Sequence, residues 1–344
     1  MIKITMFSSA DKVAGQGVGS AYVELLQLLK NYHSSTLLVS INRYTKTQIS
    51  HYHTIDPIFF ISTFFKHHFG RRIGYVHFLP STLKGSLQLP RWVTVLFYWY
   101  VIAFYKRMDQ LVVVNPSYIT ELMKYGIPEE TITYIPNFVS KKDFYSLEPH
   151  QVNQIKTSLG LKEKRFIVFG AGQVQERKGV MDFIKLAEAM PDIQFIWAGG
   201  FSFGKLTDGY EKLKQKMEHP PKNLLFTGIV GRKEMLRYYN IADVFLLPSY
   251  DELFPMCILE AFSCGTPVVL RDLALYLPVL EGYYLPAANR EAMQGEIERL
   301  ANDAAYYQAA LQKTTAGNNT YSEERLAQIW GDFYQQQEKK NEQR

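Results

Sequence analysis

Cysteine is almost missing from this chain: Cys257 and Cys264 are the only two in 344 residues. They lie seven apart on one helical stretch, a spacing that makes neither a disulfide framework nor a zinc site and that points to a reducing compartment. Long apolar runs are missing too. A bilayer-spanning helix needs about 20 apolar residues, and residues 92–105 (WVTVLFYWYVIAFY) offer fourteen, one of them polar. The opening MIKITMFSS lacks a charged leader, an apolar core and a cleavage site, so the expectation is a cytosolic chain without a signal peptide. No tract is repetitive or rich enough in Pro and Ser to be a solenoid or a disordered segment; only the closing QQQEKKNEQR reads as a frayed tail. Acid is scarce in the front part, where residues 1–145 hold 15 Lys/Arg against 8 Asp/Glu, while the remainder holds 23 against 25. That polarity suggests a first domain facing an anionic partner.

The chain has 47% hydrophobic and 21% charged residues, a folded globular composition, and its length suits two domains. Strand-to-helix turns recur. The strand IKITMF leads through Gly15, Gly17 and Gly19 into the amphipathic helix SAYVELLQLLKNY and then the strand STLLVSI. RFIVFGAG leads through QVQERKG into VMDFIKLAEAM and IQFIWAGG, opening a second domain with the same alternation. The expected architecture is α/β, two doubly wound parallel sheets with ligands outside the carboxyl ends of the strands and a cleft between the domains. Domains are expected over 1–150 and 151–320, with the boundary in the polar stretch 140–163. In YSEERLAQIWGDFYQQ, Leu326, Ile329, Trp330 and Phe333 have the spacing of one helical face.

The third turn carries the chemistry. Residues 243–248 (DVFLLP) read as a buried strand, Pro255 as a first helical residue, 257–264 as the helix, Gly265 as its cap and 267–270 as the next strand. Glu252 then lies in the loop and Glu260 on the helix. A helix start after a strand offers backbone N–H groups and a positive dipole end to a diphosphate. Ionised carboxylates only accept hydrogen bonds, so they suit sugar or ribose hydroxyls. Together these read as a nucleotide-sugar pocket. Arg177 and Lys178, just before Gly179 at another helix start, suit a diphosphate leaving group gathering charge.

Two other glycine loops are set aside. Gly15, Gly17 and Gly19 have the spacing G-x-G-x-G, and the strand that follows ends in Ser40, Ile41 and Asn42 without an acid for a ribose, which argues against a dinucleotide cofactor. GGFSFGK (199–205) is followed by Leu206, where a P-loop needs Ser or Thr for magnesium.

The segment DELFPMCILEAFSCGTPVV with ADVFLLPS before it, the Lys178-Gly179 turn and TGIV (227–230) resemble the retaining GT-B glycosyltransferases of family 4. VVVNP, IPNFVS and GQVQERKG resemble, within that family, the bacterial glycolipid synthases that add a second hexose to monoglucosyl-diacylglycerol. The resemblance implies a GT-B fold and a terminal segment, 321–344, that returns to the first domain. It implies that Glu252 holds the donor sugar and Glu260 the ribose, and that Arg177 and Lys178 hold the diphosphate, Arg177 substituting for the arginine that Gln173 replaces. Gly17 would approach the diphosphate, Gly172, Gly228 and Ile229 would frame the nucleotide, and Phe254, Pro255, Met256 and Cys257 would form the helix start against it. His77, at the end of a first-domain strand, resembles the family histidine near the donor sugar; a lone histidine is more often structural.

The implied donor is a UDP-hexose, UDP-galactose ahead of UDP-glucose, and the implied acceptor a glucosyl-diacylglycerol. No tightly bound cofactor or metal is expected, magnesium not being essential, and no nucleic acid. Peripheral association with an anionic membrane is expected, from the phenylalanines and basic residues of IFFISTFFKHHFGRR (58–72); residues 92–105 read more readily as a buried helix. Two other readings use the same features: a family 4 enzyme of surface polysaccharide or protein glycosylation, and a non-catalytic GT-B helper.

Overall fold

The computed structural model describes all residues except 11–16, 80–89, 162–164, 203, 205, 206, 208, 253 and 344. Gly15, Lys205 and Leu206 thus lie outside the described residues. Strands alternate with helices to form two parallel six-stranded sheets. The first contains β1 (Ile2–Phe7), β2 (Leu37–Ile41), β3 (Ile49–Tyr52), β4 (Arg71–Val76), β5 (Gln110–Val113) and β6 (Ile132–Tyr134), in the order β2-β1-β3-β4-β5-β6. The second contains β7 (Ile167–Ala171), β8 (Gln194–Ala198), β9 (Leu224–Gly228), β10 (Val244–Leu247), β11 (Val268–Arg271) and β12 (Leu285–Ala287), in the order β12-β11-β10-β7-β8-β9. The doubly wound expectation holds for both, and the winding of the second sheet reverses between β7 and β10. β7, β10 and β11 (IVFGA, VFLL, VVLR) are buried along their length, because helices cover both faces of a parallel sheet and leave no place for alternating polar residues.

The chain divides into two compact units, Val139–Tyr321 forming one and the flanking described residues, up to Phe138 and from Ser322, the other. In the second unit Phe183 meets Trp197 edge to face at 5.0 Å, within a core that includes Val168, Phe195, Val244, Val269 and Ile297. The polar stretch after Val139 is not strand, and it folds a helix, Pro149–Ser158, started by a capping box between Glu148 and Gln151.

In the first unit the helix after β1 begins earlier than its sequence pattern, at Gly17, and runs to Tyr32. The terminal helix Glu323–Glu342 buries Leu326, Ala327, Trp330, Phe333 and Tyr334, with Ile329 at the margin of that face. Gly331 permits a close approach: a Cβ there would stand 2.5 Å from the ring of His33, whose Nε2 pairs with the Ala327 carbonyl at 2.7 Å.

Two sequence expectations change here. Arg71 and Arg72, read as part of a basic surface cluster, are buried on β4. Arg72 makes a two-pronged pair with Asp109 (2.7 and 3.0 Å) and donates to the Thr63 carbonyl, and Arg71 donates to Gln337. A buried guanidinium persists only where such acceptors meet its fork, and these acceptors come from distant chain segments. Secondly, the helix Arg91–Lys106 is not buried all round. Val101, Phe104 and Tyr105 are, but Trp92 and Trp99 are 69% and 71% exposed, with Val95 and Leu96 beside them. Its length leaves it short of a membrane span, and no helix among the described residues is long and apolar enough to cross a membrane.

A column of rings stands along β3 and β4. His51 and His53 are 4.2 Å apart, Tyr75 stacks on His53 at 5.1 Å and on His77 at 4.3 Å, and Tyr334 pairs with His51 Nδ1 at 2.8 Å. Burial lowers all three imidazoles, His51 and His77 to about 3 and His53 well below its ordinary value. The rings are therefore neutral in the fold and take up protons on unfolding below about pH 6.5, so stability is lost as pH falls through that value. Urea unfolding followed by circular dichroism between about pH 6 and 4 should show a loss approaching about 1.4 kcal/mol per pH unit for each ring. The variant H53F should lose stability less steeply by one ring's share; an unchanged slope would show that His53 is not held neutral.

Candidate functional site

The winding reverses between β7 and β10, and doubly wound sheets bind ligands outside the carboxyl ends of the strands at such a switch point. β7 runs into Gly172, whose backbone N–H donates to Ala198 and whose carbonyl accepts from the Trp197 indole at 3.1 Å. Gly199 comes so near that a Cβ on it would lie 1.9 Å from the Gly172 oxygen. The chain then makes a short turn, Glu176–Lys178, and reaches Gly179 at φ +69, where a Cβ would stand 2.2 Å from the Pro248 carbonyl. Only glycine fits that left-handed approach, and it sets Arg177 and Lys178 against the loop that follows β10.

There one member of each predicted pair meets the other. Lys178 Nζ forms an ion pair with Glu252 Oε1, both side chains nearly out of solvent. Arg177 donates to the Asp251 carbonyl at 3.2 Å, and the Tyr250 N–H donates to the Arg177 carbonyl at 2.8 Å. Burial pushes the Glu252 carboxyl up, but Lys178 and Arg177 outweigh it and hold the group below its ordinary value. It is therefore ionised and accepts hydrogen bonds only. Asp251 moves the other way, raised by burial with Arg177 opposing.

Pro255 departs slightly from its expected place: it is extended (ψ 133) and precedes the helix Met256–Ser263 rather than opening it. Gly265, at φ +75, closes that helix with paired hydrogen bonds, Gly265 to Phe262 and Thr266 to Ala261. Glu260 is buried in its second turn and accepts from the Tyr239 hydroxyl at 2.7 Å. Cys257 stands between the acids: burial raises its thiol, which also feels Lys178, Glu252 and Glu260. Phe254 is buried against Tyr321 at 5.0 Å, and Met256 is buried. Gly228, at φ +71, bridges to Gly199, and Ile229 after it is half exposed. Leu253 lies outside the described residues.

The structure thus gathers Arg177, Lys178 and Glu252 directly, with Glu260 and Cys257 on the adjacent helix. Gly17 and His77 belong to the other unit, where Gly17 is the first residue of its helix and His77 is buried in the ring column with Nε2 unpartnered. Several participants left no trace in the sequence. Asp182 accepts from both Arg271 and the Tyr250 hydroxyl at 2.5 Å, and the Arg271 guanidinium lies 3.9 Å over the Tyr250 ring, pinning the β10 loop. Buried polar atoms without a partner collect on the same edge: Gln175 Oε1, Arg177 Nε, Ser202 Oγ, Thr207 Oγ1 and the Tyr276 hydroxyl all follow the ends of β7, β8 or β11. These atoms have hydrogen-bonding capacity left for a polar ligand.

Removing one side of the buried pair leaves the other uncompensated. K178M should lower unfolding stability by about 3 kcal/mol or more, and K178M/E252Q should recover part of it; parallel urea titrations test this, and equal losses in both variants would deny the coupling.

The model of Glycosyltransferase Family 4 matches residues 13–142, and that of Glycosyl transferases group 1 matches residues 151–315. The chain is 52% identical, over 98% of its length and 90% of the relative's, to alpha-galactosylglucosyldiacylglycerol synthase of Streptococcus pneumoniae. It is 29% identical to processive diacylglycerol alpha-glucosyltransferase of Acholeplasma laidlawii, over 52% of this chain and 55% of that protein. Among solved structures it is similar to HepE of Anabaena in complex with UDP and glucose (TM-score 0.77, 16% identity, 97% of this chain and 100% of that one). It is also similar to sucrose-phosphate synthase of Thermosynechococcus elongatus (TM-score 0.79, 16% identity, 98% and 99%). Twice-wound parallel sheets, the Lys178–Glu252 ion pair at the β7/β10 switch, and this identity along nearly the whole chain place it in the family 4 glycosyltransferases of the GT-B fold, to which it belongs.

Proposed function

We propose that this protein transfers a hexose, galactose from UDP-galactose ahead of glucose from UDP-glucose, to α-monoglucosyl-diacylglycerol, giving a diglycosyl-diacylglycerol at the inner face of the cell membrane. The observation that carries the reading is the buried Lys178–Glu252 pair at the switch point, in a chain 52% identical to a glycolipid synthase. The ionised Glu252 accepts from hydroxyls of the donor sugar, and Glu260, oriented by Tyr239, accepts from the ribose. Gly172, Gly228 and Ile229 frame the nucleotide, with Phe254, Pro255, Met256 and Cys257 carrying the helix start to the diphosphate.

Transfer proceeds with retention, on one face of the sugar. The acceptor hydroxyl oxygen bonds to C1 as the bond from C1 to the diphosphate oxygen breaks. UDP leaves with the electron pair, and its β-phosphate oxygen takes the hydroxyl proton. Arg177 and Lys178 stabilise the negative charge gathering on that phosphate, an effect of about 3 kcal/mol or more for a preorganised donor in a dry site. Gly17 and His77 keep the roles that the family resemblance implies, Gly17 for the diphosphate and His77, a neutral imidazole, for the acceptor.

Incubation of the purified protein with each UDP-hexose and monoglucosyl-diacylglycerol in anionic vesicles, with the lipid product identified by mass spectrometry and NMR, tests the assignment. The expected product is an α-linked disaccharide lipid; none with either donor ends the reading. K178A and E252A should each lower kcat at least about 100-fold. E260A should mainly raise KM for the donor, by about 10-fold or more if its ribose contact is made equally in ground and transition states.

A further inference from the structure

The helix Arg91–Lys106 exposes apolar side chains where a folded chain ordinarily hides them. Trp92, Val95, Leu96 and Trp99 have the i, i+3, i+4, i+7 spacing of one helical face, and all four are more than half exposed. A second set adjoins it: Ile58, Ile61, Phe64 and Phe65, between 57% and 59% exposed, on and just after the helix Pro57–Ser62. The two sets are held together. Phe60 packs on Phe64 at 5.6 Å and on Tyr100 at 5.4 Å, Tyr100 donates to the Ile55 carbonyl, and the Arg107 guanidinium lies 3.6 Å over the Phe64 ring. Rigid support of exposed tryptophan and phenylalanine is a feature of contact surfaces rather than of solvent-facing helices.

The charge of these segments is mostly basic. Residues 42–69 and 91–107 hold six Lys/Arg and one acid, Asp56, which is engaged by Ser9 and Thr54. Arg43, Lys46, Lys66, His67 and Lys106 are exposed there, and His68 ties the loop carrying Arg43 and Lys46 to this region through the Tyr44 carbonyl. A second copy of the chain would bring this basic rim against itself, whereas an anionic lipid surface meets both the rim and the rings.

We propose that Trp92, Val95, Leu96 and Trp99, with the adjoining Ile61, Phe64 and Phe65, form the surface that inserts into the headgroup layer of an anionic bilayer. This rests on the glycolipid reading, which calls for an enzyme working at a membrane. It assigns the contact to an aromatic face with a basic rim and excludes Arg71 and Arg72, whose guanidiniums are occupied inside the fold.

The test uses the protein's own fluorescence. Its four tryptophans are Trp92 and Trp99, on this face, and Trp197 and Trp330, which are fully buried, so an environmental change on lipid binding reports the face. Full-length protein is mixed with phosphatidylglycerol/phosphatidylcholine vesicles without donor or acceptor. The expected result is a blue shift and quenching by lipids brominated on the acyl chain. W92S/W99S should lose the response and bind vesicles about tenfold or more weakly, while its kcat with a water-soluble alkyl glucoside stays at the wild-type value. Unchanged wild-type emission on sedimenting vesicles, undiminished vesicle binding by W92S/W99S, or a lipid-free dimer that the double substitution dissolves would each overturn the proposal. Transfer to the alkyl glucoside is a separate readout: its absence in the wild type fells the glycolipid reading and leaves the vesicle measurements to decide the surface.

Discussion

The buried pair between Lys178 and Glu252 is the constraint on which the second unit's chemistry depends. An ammonium and a carboxylate out of water are each costly, and they persist because Gly179 allows the turn of one to press on the loop of the other. The loop is pinned in turn by Arg271, Asp182 and Tyr250. What results is a fixed negative acceptor beside fixed positive charge, next to polar atoms that the fold leaves unpaired. On the proposed reading these groups meet a ligand carrying hydroxyls and a diphosphate without reorganising.

The first unit handles its polar residues differently. Arg72 is consumed by Asp109, and three histidines are kept neutral among tyrosine and tryptophan rings. With Arg71, Arg72 and three imidazoles turned inward, its outward face around Trp92 and Trp99 is aromatic, with basic residues nearby. The apolar content of the helix Arg91–Lys106 is thus shared between core and surface. Val101, Phe104 and Tyr105 hold the helix to the sheet, and the opposite stripe is free for another phase.

The fold was largely legible. Continuous apolar strands broken by glycine turns and followed by amphipathic helices announce parallel sheets, because only a buried strand tolerates apolar residues at every position. That Arg177, Lys178 and Glu252 stand in turns between strand and helix was legible too, because strand ends and helix starts carry local signals. Pairwise geometry was not. Nothing around Asp182 indicates Arg271, 89 residues away, as its partner, and nothing around Tyr239 marks it as the donor to Glu260. The stacking of His51, His53 and His77 is not written in the sequence, because neighbouring parallel strands bring residues into register only through the sheet order.

Two misreadings share one physical reason. Arg71 and Arg72 look like surface charge and residues 92–105 look like core when composition is read along the chain, but burial is decided by what packs on each face. Asp109 and Gln337, distant in sequence, draw the arginines inward. For the helix, packing covers Val101 and Phe104 and stops short of Trp92 and Trp99. The sequence by itself determined the alternation of strand and helix, the family, and which residue types stand at the turn after β10, because these depend on local periodicity and spacing. Only the tertiary structure decided which charges are paired, which imidazoles are neutral and which aromatic face stays outside, because those depend on the desolvation that distant segments impose.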